Sequence, residues 1–213
     1  MFTHLQTSHK KLKTAVRNQL LGMKFYRALR AMNIAEGVHT GSRKDGSEEF
    51  SHQVRQVALA LQITPLLGDH AEDFICIIFL HDTKEDYGVS DTLITENCGE
   101  FVDVCVSRIS KVLDGVTKTT EFYYGDMATC PVTAICKGID RIDNLKTMKG
   151  AFGAQKQVEY MQETNDWVLP MLKKVRKAFP EYANVCELVK SILVTHISLY
   201  AYALEQSGKE TTA

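Results

Sequence analysis

The chain has 213 residues, 45% hydrophobic and 24% charged, with 13 Gly and 4 Pro, a composition that excludes low-complexity disorder, collagen-like repetition and a small disulfide scaffold. At this length one domain buries most of the apolar surface its unfolded form exposes, so neither a disulfide nor a structural metal is needed for folding. A net charge of −1 and a pI near 6.7 exclude a global attraction to nucleic acid or anionic lipid, and any phosphate-binding site must be local.

Helical periodicity runs through almost the whole chain. From Lys10 to Gly37 the apolar residues Leu12, Val16, Leu20, Met23, Leu29 and Met32 predict an amphipathic helix broken near Gly22. Gly41 to Ser47 is polar, carries two glycines and reads as a loop. A second helix is predicted over Glu49 to Gln62, and Pro65 opens a connector. Ala71 to Asp86 begins acidic, continues as an unbroken apolar run and closes on His81-Asp82-Thr-Lys-Glu85-Asp86; its length predicts one buried helix. Ser90 N-caps a short helix, and a further helix over Gly99 to Leu113 ends at Asp114-Gly115. Thr117 to Asp126 reads as irregular. Pro131 suits the first turn of a helix capped by Thr129 or Cys130 and running to about Lys149. A long helix over Ala154 to Ala178 is kinked or broken at Pro170, and Pro180 opens the last one, to about Leu204, before a frayed tail from Ser207 to Ala213. No alternating strand pattern is long enough for a sheet. The prediction is a single all-α domain over residues 1–213, with its motifs within about 20–150 and C-terminal helices over 151–206.

The longest strongly apolar run, Phe74 to Leu80, is far short of the roughly 20 residues that cross a bilayer, so no transmembrane helix is expected. Met1 to Thr14 is polar and basic with no cleavage-site pattern, which predicts a cytoplasmic protein. The six cysteines form no Cys-x-x-Cys pair and read as buried thiols in a reducing compartment. His4, His9 and His70 read as surface residues and His196 as a core histidine. Tyr123 and Tyr124 read as packing under a loop. Trp167 and the C-terminal helices complete the core or form an oligomer contact.

His81-Asp82 stands where a buried helix runs into polar sequence. Alone it is a weak signal, but Glu85 and Asp86 lie four residues beyond, which on one continuous helix stacks each acid a turn above its partner. Three carboxylates this close call for a cation. His52, at the start of an apolar helix, and Asp140, at the end of the apolar segment Pro131 to Ile139, are the best further donors. Two His and two Asp suit Mn, Fe, Zn or Mg and do not choose among them. Arg43, Lys44, Lys118 and Arg141 are cations available to an anionic ligand.

Four ordered motifs sharpen this. His39-Thr-Gly-Ser-Arg43-Lys44-Asp-Gly46-Ser-Glu-Glu-Phe-Ser-His52, Phe79-Leu-His81-Asp82-Thr-Lys-Glu85-Asp86, Gly115-Val-Thr-Lys118 and Lys137-Gly-Ile-Asp140-Arg141-Ile-Asp-Asn144-Leu-Lys-Thr147-Met resemble, in order and spacing, the motifs of the RelA/SpoT-type alarmone hydrolases of the HD superfamily. The resemblance implies removal of the 3′-pyrophosphate from (p)ppGpp by a helical HD domain. It implies a metal, typically manganese, held by His52, His81, Asp82 and Asp140, and that Glu85 and Asp86 handle the water. It also implies that Arg43 and Lys44 contact base and phosphates and that Asn144 and Thr147 line the nucleotide pocket. The chain departs from the pattern at Asp143, commonly His, at Tyr87, usually a small hydroxyl residue, and at Glu49-Phe50, where Pro-Tyr is common. Two rival expectations are an HD-type hydrolase of another phosphorylated nucleotide, such as NADPH 2′-phosphate or a deoxynucleotide, and a protein that binds alarmone without hydrolysing it.

Overall fold

A computed structural model describes residues 8–210, and they form an all-α bundle with one two-stranded hairpin. His4 and residues 211–213 of the tail lie outside the described residues. The bundle is built around α4 (Ala71–Leu80), in which every side chain from Phe74 to Leu80 is fully buried. Burial of each large apolar side chain contributes about 1.5–3 kcal/mol. A helix apolar on all sides needs neighbours on all sides. They are α2 (Tyr26–Val38), α3 (Ser51–Ala60), α7 (Glu100–Ile109) and α9 (Pro131–Ala151).

The N-terminal helical pattern breaks as expected, α1 (His9–Gly22) being separated from α2 at Lys24, whose φ of 60° is left-handed. The expected single helix over Ala71 to Asp86 is two. After α4 the ladder stops at His81-Asp82 and resumes as α5 (Thr83–Tyr87). The reason is local competition for carbonyls: His81 Nδ1 donates to Ile78 O at 2.8 Å and Thr83 Oγ1 to Leu80 O at 2.7 Å. Ser90 caps α6 (Asp91–Cys98) as predicted, accepting from Leu93 N.

The stretch Gly99 to Asp126 departs further from expectation. Helix α7 stops at Ile109, Val112–Leu113 pairs with Val116–Thr117, and Asp114-Gly115 is the turn, with φ of 51° and 76°. Asp-Gly with both residues left-handed is the signature of a type I′ hairpin, which the search for long alternating runs passes over. The segment read as irregular contains α8 (Thr120–Met127), capped by Thr119, whose Oγ1 accepts from Phe122 N.

Cys130 caps α9, with Pro131 in its first turn. The pattern over Ala154 to Ala178 divides into α10 (Ala154–Glu163), a π-helical turn (Thr164–Val168) and α11 (Leu169–Ala178). Pro170 lacks the N–H that would bond Asp166 O, so the widened turn falls just before it. All six cysteines are buried and free.

The last helix, α12 (Ala183–Glu210), packs along α9 and α11. Over Pro180–Gln206 the chain is long and apolar enough to cross a membrane, with a mean hydropathy of 1.2. The longest apolar run had not pointed there, because this segment intersperses its apolar residues with polar ones. Its residues Val185, Cys186, Val189 and Leu193 are buried against the bundle. Gly138 of α9 permits this approach: a Cβ there would stand 2.5 Å from Val189 Cγ1. Gly138→Ala is therefore expected to destabilise the fold by about 1–3 kcal/mol, read as a fall in Tm of roughly 2–4 °C per kcal/mol.

Candidate metal centre and cavity

Because α3, α4 and α9 pack on one another, they bring together the four residues expected to hold a metal. His52 lies in the first turn of α3, His81 and Asp82 at the break between α4 and α5, and Asp140 in the middle of α9. His52 Nε2 stands 3.2 Å from Asp140 Oδ1 and 4.0 Å from Asp82 Oδ2. His81 Nε2 stands 2.8 Å from Asp82 Oδ1 and 3.6 Å from Asp140 Oδ1. Ligand atoms of His52, His81 and Asp82 all lie within 4.8 Å of one another. Two donors each about 2.0–2.2 Å from one ion can be at most about 4.4 Å apart, so these separations are close to what one ion needs.

The hydrogen bonds around the two imidazoles turn their Nε2 atoms inward. His81 Nδ1 is spent on Ile78 O, and its buried Nε2 has no well-aligned hydrogen-bond partner despite the nearby carboxylates. His52 Nδ1 donates to Asp143 Oδ2 at 2.7 Å, and its Nε2 accepts from Gln56 Nε2 at 2.6 Å. Acceptors crowded in this way require a positive charge. Burial pulls the His81 pKa down, but Asp82 and Asp140 outweigh it and push it up to about 10. Burial also raises Asp140, while Lys137, 2.8 Å from Oδ2, and the two imidazoles hold its carboxyl well below the usual range. The mixed nitrogen and oxygen set and the orphaned Nε2 fit a divalent cation without choosing among Mn, Fe, Zn and Mg.

A consequence is that metal binding must displace the His81 proton. Apparent affinity for Mn2+ is expected to rise about tenfold per unit from pH 7 to pH 9, with about one proton released per ion. Calorimetry in buffers of different ionisation enthalpy measures that proton.

This centre opens into a cavity of about 400 Å³, whose lining includes the four metal-centre residues together with Glu85 and Asp86. The single helix expected here is lost at His81-Asp82, but the helical step from Asp82 to Asp86 survives the break. The two acids reach the cavity from the first turns of α5, which the bond from Asp86 N to Asp82 O at 2.9 Å connects to the metal centre. Glu85 Oε2 accepts from Lys111 N at 2.6 Å, which ties α5 to the hairpin. Asp86 has the perturbed carboxyl: burial first, then the negative charges of Asp82 and Glu85, raise its pKa to about 6.

The expected substrate-contacting residues divide three ways. Arg43 and Asn144 line the metal cavity and are joined, Arg43 Nη2 donating to Asn144 Oδ1 at 3.1 Å while Asn144 Nδ2 donates to Asp140 Oδ1 at 2.8 Å. Arg43, Asn144 and Tyr160 are also shared with a second cavity of about 300 Å³, which adds Lys44, Thr147 and Phe152. Arg141 lines the first cavity, but its guanidinium is committed to Glu163 at 2.9 Å and to the face of Tyr160 at 4.7 Å. Lys118 is not in either lining. Its ammonium donates to Ser107 O at 2.7 Å and Arg108 O at 3.0 Å, closing the C-terminal end of α7. Lys111, Lys137 and Lys156 line the metal cavity although sequence reasoning gave them no role. Lys137 stands three residues before Asp140 on the same helix face, which was a readable signal. Lys111 and Lys156 reach the cavity by tertiary packing, for which the sequence carries none.

Two of the three positions singled out above, Tyr87 and Asp143, have close side-chain contacts. Tyr87 lies beside the Glu49 carboxylate and sets its ring 4.7 Å from that of His39. Asp143 accepts from His52 and from Arg55, Nε to Oδ1 and Nη2 to Oδ2, each at 2.8 Å. The remaining expectations for single residues resolve as follows. Tyr123 and Tyr124 are buried, Tyr123 also lining the cavity, and Trp167 stacks on Tyr124 at 5.7 Å. His9 and His70 are half-buried and face Glu48 and Asp73, and His196 is half-buried with Nδ1 on Ile192 O.

No protein-family profile matches the chain. Over 165 residues it is 24% identical to a protein of Mycobacterium leprae (strain TN) named as a probable GTP pyrophosphokinase, an alignment covering 70% of this chain and 19% of that one. The chain thus spans about a fifth of the length of the relative it matches. The likeness points to the RelA/SpoT-type proteins. The relative's name is that of a pyrophosphokinase, so it does not assign hydrolysis.

Proposed function

We propose that this chain is a metal-dependent phosphohydrolase that removes the 3′-pyrophosphate from guanosine alarmones, yielding GDP or GTP and pyrophosphate. The observation that carries the proposal is the convergence of His52, His81, Asp82 and Asp140 at a cavity that also holds the raised carboxyl of Asp86. A divalent cation there supplies Lewis acidity, which makes water a stronger acid and stabilises charge on a phosphoryl oxygen; manganese is the ion the resemblance implies. Asp86 is the proton-handling group, a cavity carboxyl that burial and the neighbouring charges of Asp82 and Glu85 raise. Glu85, fixed by Lys111 N, orients the water.

Charge supports a polyanionic substrate. The lining of the metal cavity holds five Lys and Arg side chains and five Asp and Glu, so a bound dication makes it net positive. Arg43 and Asn144, shared by the two cavities, would hold the nucleotide between them. The second cavity offers Phe152 and Tyr160, with ring centroids 5.3 Å apart, as apolar faces for a base, and Lys44 stands 5.0 Å from the Phe152 ring.

A substrate panel at equal concentration tests the substrate class. With Mn2+ present, ppGpp and pppGpp are expected to exceed NADPH and dGTP in kcat/KM by more than about 100-fold. A preference for either of the latter would move the function to another nucleotide, and tight alarmone binding without pyrophosphate release would make the protein a sensor.

A further inference from the structure

His52 and His81 are buried to the same degree, but their Nδ1 atoms have different partners. His81 donates to a neutral backbone carbonyl, Ile78 O at 2.8 Å. His52 donates to a carboxylate, Asp143 Oδ2 at 2.7 Å, which is itself clamped by Arg55 through two bonds of 2.8 Å. Arg55 is steadied in turn by Ser51 Oγ at 2.8 Å, one residue before His52. We infer that Asp143 and Arg55 form a positioning pair that fixes the His52 imidazole with its proton on Nδ1 and its Nε2 lone pair toward the metal centre. This rests on the metal-site reading above.

Two observations support it. His52 Nδ1 faces a carboxylate oxygen, which can only accept, so a proton lies on Nδ1, and Nε2 is left facing the Gln56 amide and Asp140. Both Asp143 oxygens are occupied as acceptors, Oδ1 by Arg55 and Oδ2 by Arg55 and His52 together, so the side chain has no freedom to rotate away. A carboxylate behind a ligating imidazole fixes its tautomer and raises its basicity. The position also departs from the family pattern, and the guanidinium that complements it belongs to this chain.

Asn at position 143 cannot satisfy all the donors, because its NH2 must face either Arg55 or His52. Asp143→Asn is therefore expected to weaken Mn2+ binding about 10- to 100-fold, measured by calorimetry on the full chain at 25 °C. Arg55→Gln, at a half-exposed side chain, is expected to weaken it less and in the same direction, and it keeps the test valid should Asp143→Asn fail to fold. A purely structural ion pair between α3 and α9 would instead lower the Tm of the metal-free protein and leave the Mn2+ Kd of the folded variant within twofold of wild type, and that result overturns the inference. Weakened binding in both variants, in a wild type that binds Mn2+ but does not turn over ppGpp, upholds the positioning pair and removes only the proposed substrate. A wild type that binds no Mn2+ overturns both.

Discussion

Asp140→Asn is expected to bind Mn2+ at least about 100-fold more weakly than wild type, beyond what loss of an outer partner costs, and to lose alarmone turnover with it. Asp140 is the hub of the centre. Its Oδ1 lies 3.2 Å from His52 and 3.6 Å from His81 and accepts from Asn144, and its Oδ2 accepts from Lys137. Asparagine keeps the shape and can still accept from Lys137, so the half-buried lysine is not left without its partner as it would be by alanine. What is removed is the negative charge. Folding measured by circular dichroism is thus expected to survive while metal binding does not. An Asp140→Asn protein that binds Mn2+ as tightly as wild type would place the ion elsewhere.

Asp86→Asn is expected to separate chemistry from metal binding. Its carboxyl lines the cavity but belongs to the rim, and it is not in the set that crowds around the two imidazoles. Loss of a positioned proton-transfer group costs about 10²–10⁴ in rate, so kcat is expected to fall by that order with the Mn2+ Kd unchanged. Burial and the charges of Asp82 and Glu85 raise the carboxyl in the metal-free protein, and a bound dication moves it down again. With Mn2+ saturating, the wild-type carboxyl ionises as pH rises, so a general base gives a rate that climbs on the acid side and levels off. The variant is expected to lack that limb. A pH profile of Asp86→Asn that keeps the wild-type acid limb would assign the limb to another group.

The helical class, the N-caps at Ser90 and Cys130, the break before Tyr26 and the buried run Phe74 to Leu80 were legible because each depends on residues near in sequence. The cluster of His52, His81 and Asp82 was legible for a different reason: His81 and Asp82 end the most apolar helix, where polar residues are conspicuous, and His52 begins an apolar helix that packs against it. What escaped depended on competition or on packing. His81 Nδ1 and Thr83 Oγ1 capture carbonyls that a periodicity argument assigns to the helix ladder. Asp114-Gly115 makes a hairpin too short for an alternating pattern to register. Lys118 reads as a substrate cation from its motif but closes a helix end. Asp143 was visible as a departure, and only its meeting with Arg55, 88 residues away, gives it a role.

The most direct measurement is pyrophosphate release from ppGpp by the full chain, followed with manganese added, then chelated, then restored. Release matched one to one by GDP, abolished by the chelator and recovered with manganese, is the predicted result. A manganese-loaded protein that forms no pyrophosphate, or one whose release survives chelation, would contradict a metal-dependent alarmone hydrolase.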